Sequence, residues 1–193
     1  MKIFGKWAIV GCLFISVNLQ AQLKNQTTLD VLSMLKTNTS MESMEGLLLS
    51  AGFVNKGPNG VKQKSFNGLL DSVPVLLTVR KTSRKGVVCG YNLMYDNTDN
   101  NWIKKRLFID QLAVSINKSN KQNPSVLLKT LPQYCHGNEV QCFADGFAKY
   151  QYSWYWNNGV ARIKSMELKV TPSFQIMLTI TDNALEAASG NNN

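Results

Sequence analysis

Over residues 150–156 the chain reads Tyr-Gln-Tyr-Ser-Trp-Tyr-Trp. Side chains of an extended chain alternate between two faces. Tyr150, Tyr152, Trp154 and Trp156 therefore share one face, and Gln151, Ser153 and Tyr155 the other. The Asn158-Gly159 pair that follows suits a two-residue hairpin turn, because both residues tolerate the positive φ such a turn needs. Residues 160–170 are the returning strand. A turn centred on Asn158-Gly159 pairs Trp154 with Ile163 and Trp156 with Ala161. It also sends Met166, Leu168 and Val170 to the opposite face, so either a bulge near Ser165 reverses them or both faces are covered. After a turn at Thr171-Pro172-Ser173, Phe174, Ile176, Leu178 and Ile180 alternate with Gln175, Met177, Thr179 and Thr181, the pattern of a half-buried strand. The last third of the chain is thereby committed to antiparallel sheet.

An earlier part of the chain repeats the alternation. Val75, Leu77 and Val79 alternate with Leu76, Thr78 and Arg80, a polar turn occupies 82–86, and 87–95 returns, which predicts a hairpin. Within the returning strand Val87, Cys89, Tyr91, Leu93 and Tyr95 share a face. Residues 61–66 predict a further strand. Upstream, 30–36 predict a short helix, and Thr39 and Glu42 stand at capping-box spacing. Met41, Met44, Leu47, Leu48 and Ala51 recur at helical intervals, ended by Gly52-Phe53, a glycine stop with an apolar contact behind it. Between the two β regions, Trp102, Phe108, Ile109, Leu112, Ala113 and Ile116 form one helical face. Ile103, Leu107 and Val114 form a second stripe, which predicts a helix covered on two sides. Residues 123–131 predict another helix with Pro124 in its first turn. Residues 184–193 read as a frayed tail.

These elements predict an α+β fold, an antiparallel sheet with helices packed on one face. The order helix-then-strands occurs twice, over 28–97 and 99–183, which reads as two α-β-β-β pseudo-repeats within a single domain spanning 22–193. A hydrophobic fraction of 44% is enough for a core.

The first 21 residues have a different character. Lys2 and Lys6 precede a short apolar run, and Leu19-Gln20-Ala21 offers small-residue cleavage spacing, which predicts a secretory signal peptide removed near Ala21. The run is too short to span a bilayer, and no later stretch is long enough, so no transmembrane helix is expected in the mature chain. Ile9-Val10-Gly11-Cys12 resembles a lipidation box, but apolar residues continue past Cys12. Nineteen of the 21 Lys and Arg and all twelve Asp and Glu follow Ala21, leaving seven excess positive charges that are scattered along the chain. Such a surface favours acidic partners in general; export argues against nucleic acid.

Export also sets the chemistry of the cysteines. Cys135 and Cys142 flank a loop containing Gly137-Asn138, and a disulfide between them closes a ring worth roughly 2.5 kcal/mol by chain entropy. A metal site is not expected: Cys135, His136 and Cys142 give at most three ligands, two of them adjacent, and His136 is the only histidine. Cys89 reads as a buried, inert thiol. No cofactor motif occurs. Ser33-x-x-Lys36, Lys81-Thr82-Ser83 and Ser115-x-Asn117 resemble the short motifs of serine β-lactamases and penicillin-binding proteins. Their order is wrong, however, and the third motif has serine in place of glycine.

With no catalytic set assembled, the expected function is that of an exported, non-enzymatic binding domain of the bacterial cell envelope, located in the periplasm or at the cell surface. The expected partner is an envelope protein or a glycan. The aromatic face of Tyr150, Tyr152, Trp154 and Trp156 has two readings: sheet core, or a flat platform for sugar rings as in a carbohydrate-binding module. The enzymatic alternative is a small secreted hydrolase using Cys89 or a serine, with His136 or Lys36 as base.

Overall fold

The computed structural model describes residues 24–57, 60–83, 85–96, 100–157 and 161–190. The predicted signal peptide, with Cys12 and Ala21, lies outside them, as does the Asn158-Gly159 turn. In chain order the elements are β1 (Asn25–Gln26), α1 (Thr28–Met34), α2 (Met41–Ser50), β2 (Val54–Asn55), β3 (Gln63–Leu70), β4 (Val73–Lys81), β5 (Val88–Tyr95) and α3 (Trp102–Asn120). They continue with β6 (Val126–Thr130), a 3-10 turn (Gln133–Cys135), α4 (Glu139–Ala144), β7 (Lys149–Asn157), β8 (Arg162–Val170), β9 (Ile176–Asp182) and α5 (Asn183–Gly190).

The nine strands form one mixed sheet in the order β1-β3-β4-β5-β9-β8-β7-β6, with β2 also on β3. Two antiparallel meanders, β3-β4-β5 and β7-β8-β9, meet where β5 pairs with β9 from Gly90↔Thr181 to Tyr95↔Ile176. The architecture is α+β. The second half of the chain carries β6, the 3-10 turn and α4 between its long helix and its meander, which have no counterpart in the first.

Register explains the two unlike faces of this sheet. One row of cross-strand partners runs Phe66, Leu77, Leu93, Leu178, Leu168, Tyr152. The row beside it contains Val79, Tyr91, Ile180, Met166 and Trp154. These side chains are buried, and Val31 of α1, Met41, Met44 and Leu48 of α2, and Ile109, Leu112, Ala113 and Ile116 of α3 join the same core. The alternate row on the other face runs Ser65, Thr78, Asn92, Thr179, Glu167, Ser153. Period two thus separates an apolar helix-covered side from a polar side across six strands.

Several local signals act as expected. Helix α2 ends in a Schellman arrangement: Gly52 has φ +90°, its N–H donates to Leu49 O, and Phe53 N–H donates to Leu48 O, both at 3.0 Å. The N-cap of α2 is Ser40, whose hydroxyl accepts from Ser43 N, one residue later than the Thr39 spacing predicted. The 75–80 and 87–95 hairpin forms as β4 and β5.

Six expectations are corrected. Residues 123–131 contain strand β6, not a helix: Pro124 and Pro132 leave only a short apolar run, which helix and strand can both accommodate, and pairing along β7 decides the matter. Residues 183–190 form α5 instead of a loose tail; Asp182 Oδ1 accepts from Leu185 N at its start, and Glu186 pairs with Arg80 on the outward face of β4. Helices therefore do not all lie on one side. The second stripe of α3 is open, with Ile103 68% and Leu107 56% exposed. In the β7–β8 hairpin Trp154 faces Met166 and Trp156 faces Lys164, while Asn157 faces Arg162, so Ile163 is the extra residue of a bulge. That bulge lies closer to the turn than Ser165 and brings Met166, Leu168 and Val170 onto the aromatic face. Cys89 is buried as expected, but a second bulge moves it off the core side: Arg80 pairs with Gly90 and Lys81 with Val88, so Val88 takes the core position and Cys89 sits on the opposite face, in a cavity shared with Arg80 and Glu186.

The β5–β9 seam tolerates no side chain at Gly90. A Cβ there would lie 2.7 Å from Ile180 O and 2.5 Å from Arg80 Nη2. Gly90→Ala should lower stability by about 1–3 kcal/mol, measured by urea denaturation; an unchanged midpoint would show that the seam yields.

Candidate functional site

The disulfide is present. Cys135 and Cys142 are bonded across a Cα–Cα distance of 5.8 Å, and both are buried, while His136 beside them is exposed. The bond ties the 3-10 turn to α4, whose Phe143 packs 5.2 Å from the Trp102 ring. Among the described residues no group of three His, Cys, Asp or Glu could hold a metal ion.

Three of the four aromatics on the β7 face are covered. Tyr150, Tyr152 and Trp154 are buried beneath α3, and only Trp156 is partly open, with the Lys164 ammonium 5.3 Å from its ring centroid. A flat sugar platform needs open ring faces, and this row lacks them. Its polar tips are used internally. Trp154 Nε1 donates to Asn117 Oδ1 at 2.8 Å. The Tyr150 and Tyr152 hydroxyls donate to Asp110 Oδ1 at 2.8 and 2.5 Å. The Lys129 ammonium lies 5.0 and 4.9 Å from the centroids of the same two rings and 3.5 Å from Asp110 Oδ1. Burial works to raise the Asp110 carboxyl, but the bonds from Tyr152 and Tyr150 and the charge of Lys129 outweigh it and hold it below the ordinary carboxylate range. Burial, then the neighbouring carboxylate, push the Tyr152 phenol up. The cluster fastens α3 and β6 to β7.

The nucleophile candidates are likewise engaged elsewhere. Cys89 Sγ lies 3.6 Å from the Arg80 carbonyl oxygen, beside a cavity lined by Lys62, Gln63, Arg80, Thr82 and Glu186, with His136 not among its walls. Burial and then Glu186 push the thiol up, away from the thiolate a nucleophile needs. Ser33 donates its hydroxyl to Asp30 O at 2.6 Å within its own helix.

A different place collects uncommitted polar groups. Between α1 and α3 lies a cleft of about 440 Å³, lined by Thr27, Thr28, Leu29, Asp71, Phe108, Gln111, Leu112 and Ser115. Its lip is the two-residue turn joining β3 to β4, where Asp71 and Ser72 have φ +49° and +63°. Such a turn matches strand twist; Asp71 and Ser72 between two apolar runs are the missed sequence signal that could have marked it. Asp71 Oδ2 accepts from Thr28 N at 3.1 Å and Thr28 Oγ1 at 2.6 Å, and Thr28 Oγ1 lies 3.0 Å from the Tyr95 hydroxyl. Tyr95 is buried, and burial pushes its phenol up, so it stays neutral. Phe108 meets Tyr95 edge-on at 5.4 Å and forms the aromatic wall. Among the described residues, Gln111 and Ser115 make no side-chain hydrogen bond within the protein. Among the described residues no Lys or Arg lines the cleft.

Compared with protein-family models, with curated proteins and with solved structures, the chain gives no significant match in any of the three.

Asp110 should govern the acid limb of stability. A carboxyl held low in the folded state contributes stability that is complete above its unfolded value, about pH 4, and lost as pH falls through its folded value. Asp110→Asn should therefore cost about 1–3 kcal/mol at pH 7 and less at pH 3, which lies below the unfolded value. Urea denaturation of both forms at the two pH values checks this; an equal cost at both would remove the carboxylate's charge from the account.

Proposed function

We propose that the chain is an exported, non-enzymatic binding domain of the bacterial cell envelope and that the α1–α3 cleft binds a short neutral or amine-bearing glycan. The observation carrying this reading is the lining of the cleft. One carboxylate, one amide and three hydroxyls stand beside a phenyl wall, and Gln111 and Ser115 have no side-chain hydrogen-bond partner among the described residues. Sugars present vicinal hydroxyls at their edges and C–H groups on their faces, which this combination matches. The volume falls within the usual range for small-ligand sites, about 300–1,000 Å³. Among the described residues Asp71 is the only charged group in the lining, which disfavours anionic ligands. Export is supported by the amino-terminal pattern and by the Cys135–Cys142 bond, which suits an oxidising compartment.

The hydrolase alternative finds less support. Neither Cys89 nor Ser33 has a base beside it in the contacts described above, and burial opposes ionisation of the thiol.

Two measurements test the proposal. Fractionation of cells making the full chain should place it outside the cytoplasm with cleavage near Ala21; a cytoplasmic chain with its amino terminus intact would refute export. A glycan array followed by calorimetry should find a neutral or amino sugar whose affinity falls about tenfold in Gln111→Ala, the loss expected for one hydrogen bond. Trp156→Ala should leave that affinity unchanged. Binding that survives Gln111→Ala and Ser115→Ala together but is lost in Trp156→Ala would move the site to β7.

A further inference from the structure

We propose that two copies of this chain pair antiparallel through β6, joining their sheets across a two-fold axis. Strand β6 ends the sheet beyond β7, and among the described residues no strand covers its other side. All five of its residues are exposed, including Val126 at 37%, Leu127 at 51% and Leu128 at 42%. An edge of this kind presents a row of backbone donors and acceptors flanked by apolar side chains on both faces, and proteins ordinarily blunt it with charge or proline. Neither protection operates here. Lys129, the one charged residue of the strand, is folded back over the Tyr150 and Tyr152 rings and pairs with Asp110. Pro124 and Pro132 stand outside the strand. The adjoining stretch of β7 is treated differently: Gln122 Nε2 donates to Tyr155 O at 3.3 Å, and Tyr155 N donates to Ser125 Oγ at 3.2 Å.

The occupant follows from the other edge of the sheet. Strand β3 is covered there by β1, pairing at Leu69 and Leu70, and by β2, pairing at Phe66 and Asn67. A head-to-tail union of β6 along β3 of another copy is therefore interrupted at both places, and the union in which all five β6 residues find partners is β6 with β6. Such a contact closes on itself instead of growing a filament. Its register is chemically self-consistent. Centred on Leu128, antiparallel pairing sets Leu128 against Leu128 of the second copy, Val126 against Thr130, and Leu127 against Lys129. No like charges stand opposite one another, and the apolar pair lies at the centre.

The experiment uses the purified mature chain in sedimentation velocity over a range of concentrations. The expected result is a monomer–dimer equilibrium. Leu128→Lys sets two ammonium groups against each other and should weaken dimerisation at least tenfold, and Leu128→Glu should do the same with two carboxylates. Mixing the two variants should restore a dimer, because opposite charges then meet across the axis. Leu128 is exposed, so the melting temperature of each variant at monomeric dilution should stay near that of the parent, separating lost pairing from lost folding. A parent chain that is monomeric throughout, a dimer indifferent to both substitutions, or variants that fail to rescue each other would each overturn the proposal.

Discussion

The β5–β9 seam is the contact on which the rest of the architecture depends. Each meander alone is a three-stranded sheet with one apolar face and two open edges. Pairing Gly90 through Tyr95 with Thr181 through Ile176 removes one edge from each and aligns their apolar rows into one surface. Only that joined surface, from Phe66 to Tyr152, is broad enough to seat α1, α2 and α3 together. Gly90 belongs to the seam because the Ile180 carbonyl occupies the space a side chain would take.

From that surface the polar features acquire their positions. Helix α3 lies across the sheet with Asp110 toward β6 and β7 and with Phe108, Gln111 and Ser115 toward α1. One flank of the helix is closed by bonds from Tyr150, Tyr152 and Lys129. The other leaves an amide and a hydroxyl beside an aromatic ring. The same helix therefore has one side devoted to holding β6 in place and one side that opens onto the cleft. The first helps to explain why β6 stays an ordered strand despite its exposure, since Lys129 anchors it while its neighbours face solvent.

Much of the β structure was legible before any tertiary contact was known. Alternation in 75–80 and 174–181 marked strands because half-buried sheets impose period two. Gly52-Phe53 marked a helix end because a left-handed residue there completes two hydrogen bonds. The cysteine pair was legible because a short turn-bearing loop lets its ends meet. The failures share a cause as well. Residues 123–131 fit a helix or a strand locally, and the vacancy beside β7 chose between them. The bulge at Cys89 reversed a face without any mark in the alternation, since one extra residue shifts every later side chain; the second was legible in the misplaced faces of Met166, Leu168 and Val170, and only its position, Ile163 instead of near Ser165, was not. The cleft was missed because Asp71 and Gln111 are forty residues apart and only the approach of the β3–β4 turn to α3 brings them together.

By itself the order of residues determined the local conformations: which segments extend, where α2 begins and stops, that the fold mixes helices with antiparallel strands, and that Cys135 could reach Cys142. These depend on backbone sterics and on neighbours within a few positions, which travel with the sequence. Tertiary structure alone decided that Tyr150, Tyr152 and Trp154 became core, that α5 crossed to the polar face through Arg80, and that a cleft formed between α1 and α3. Burial is a property of what comes to lie opposite a side chain, and here those partners are supplied by segments dozens of residues away.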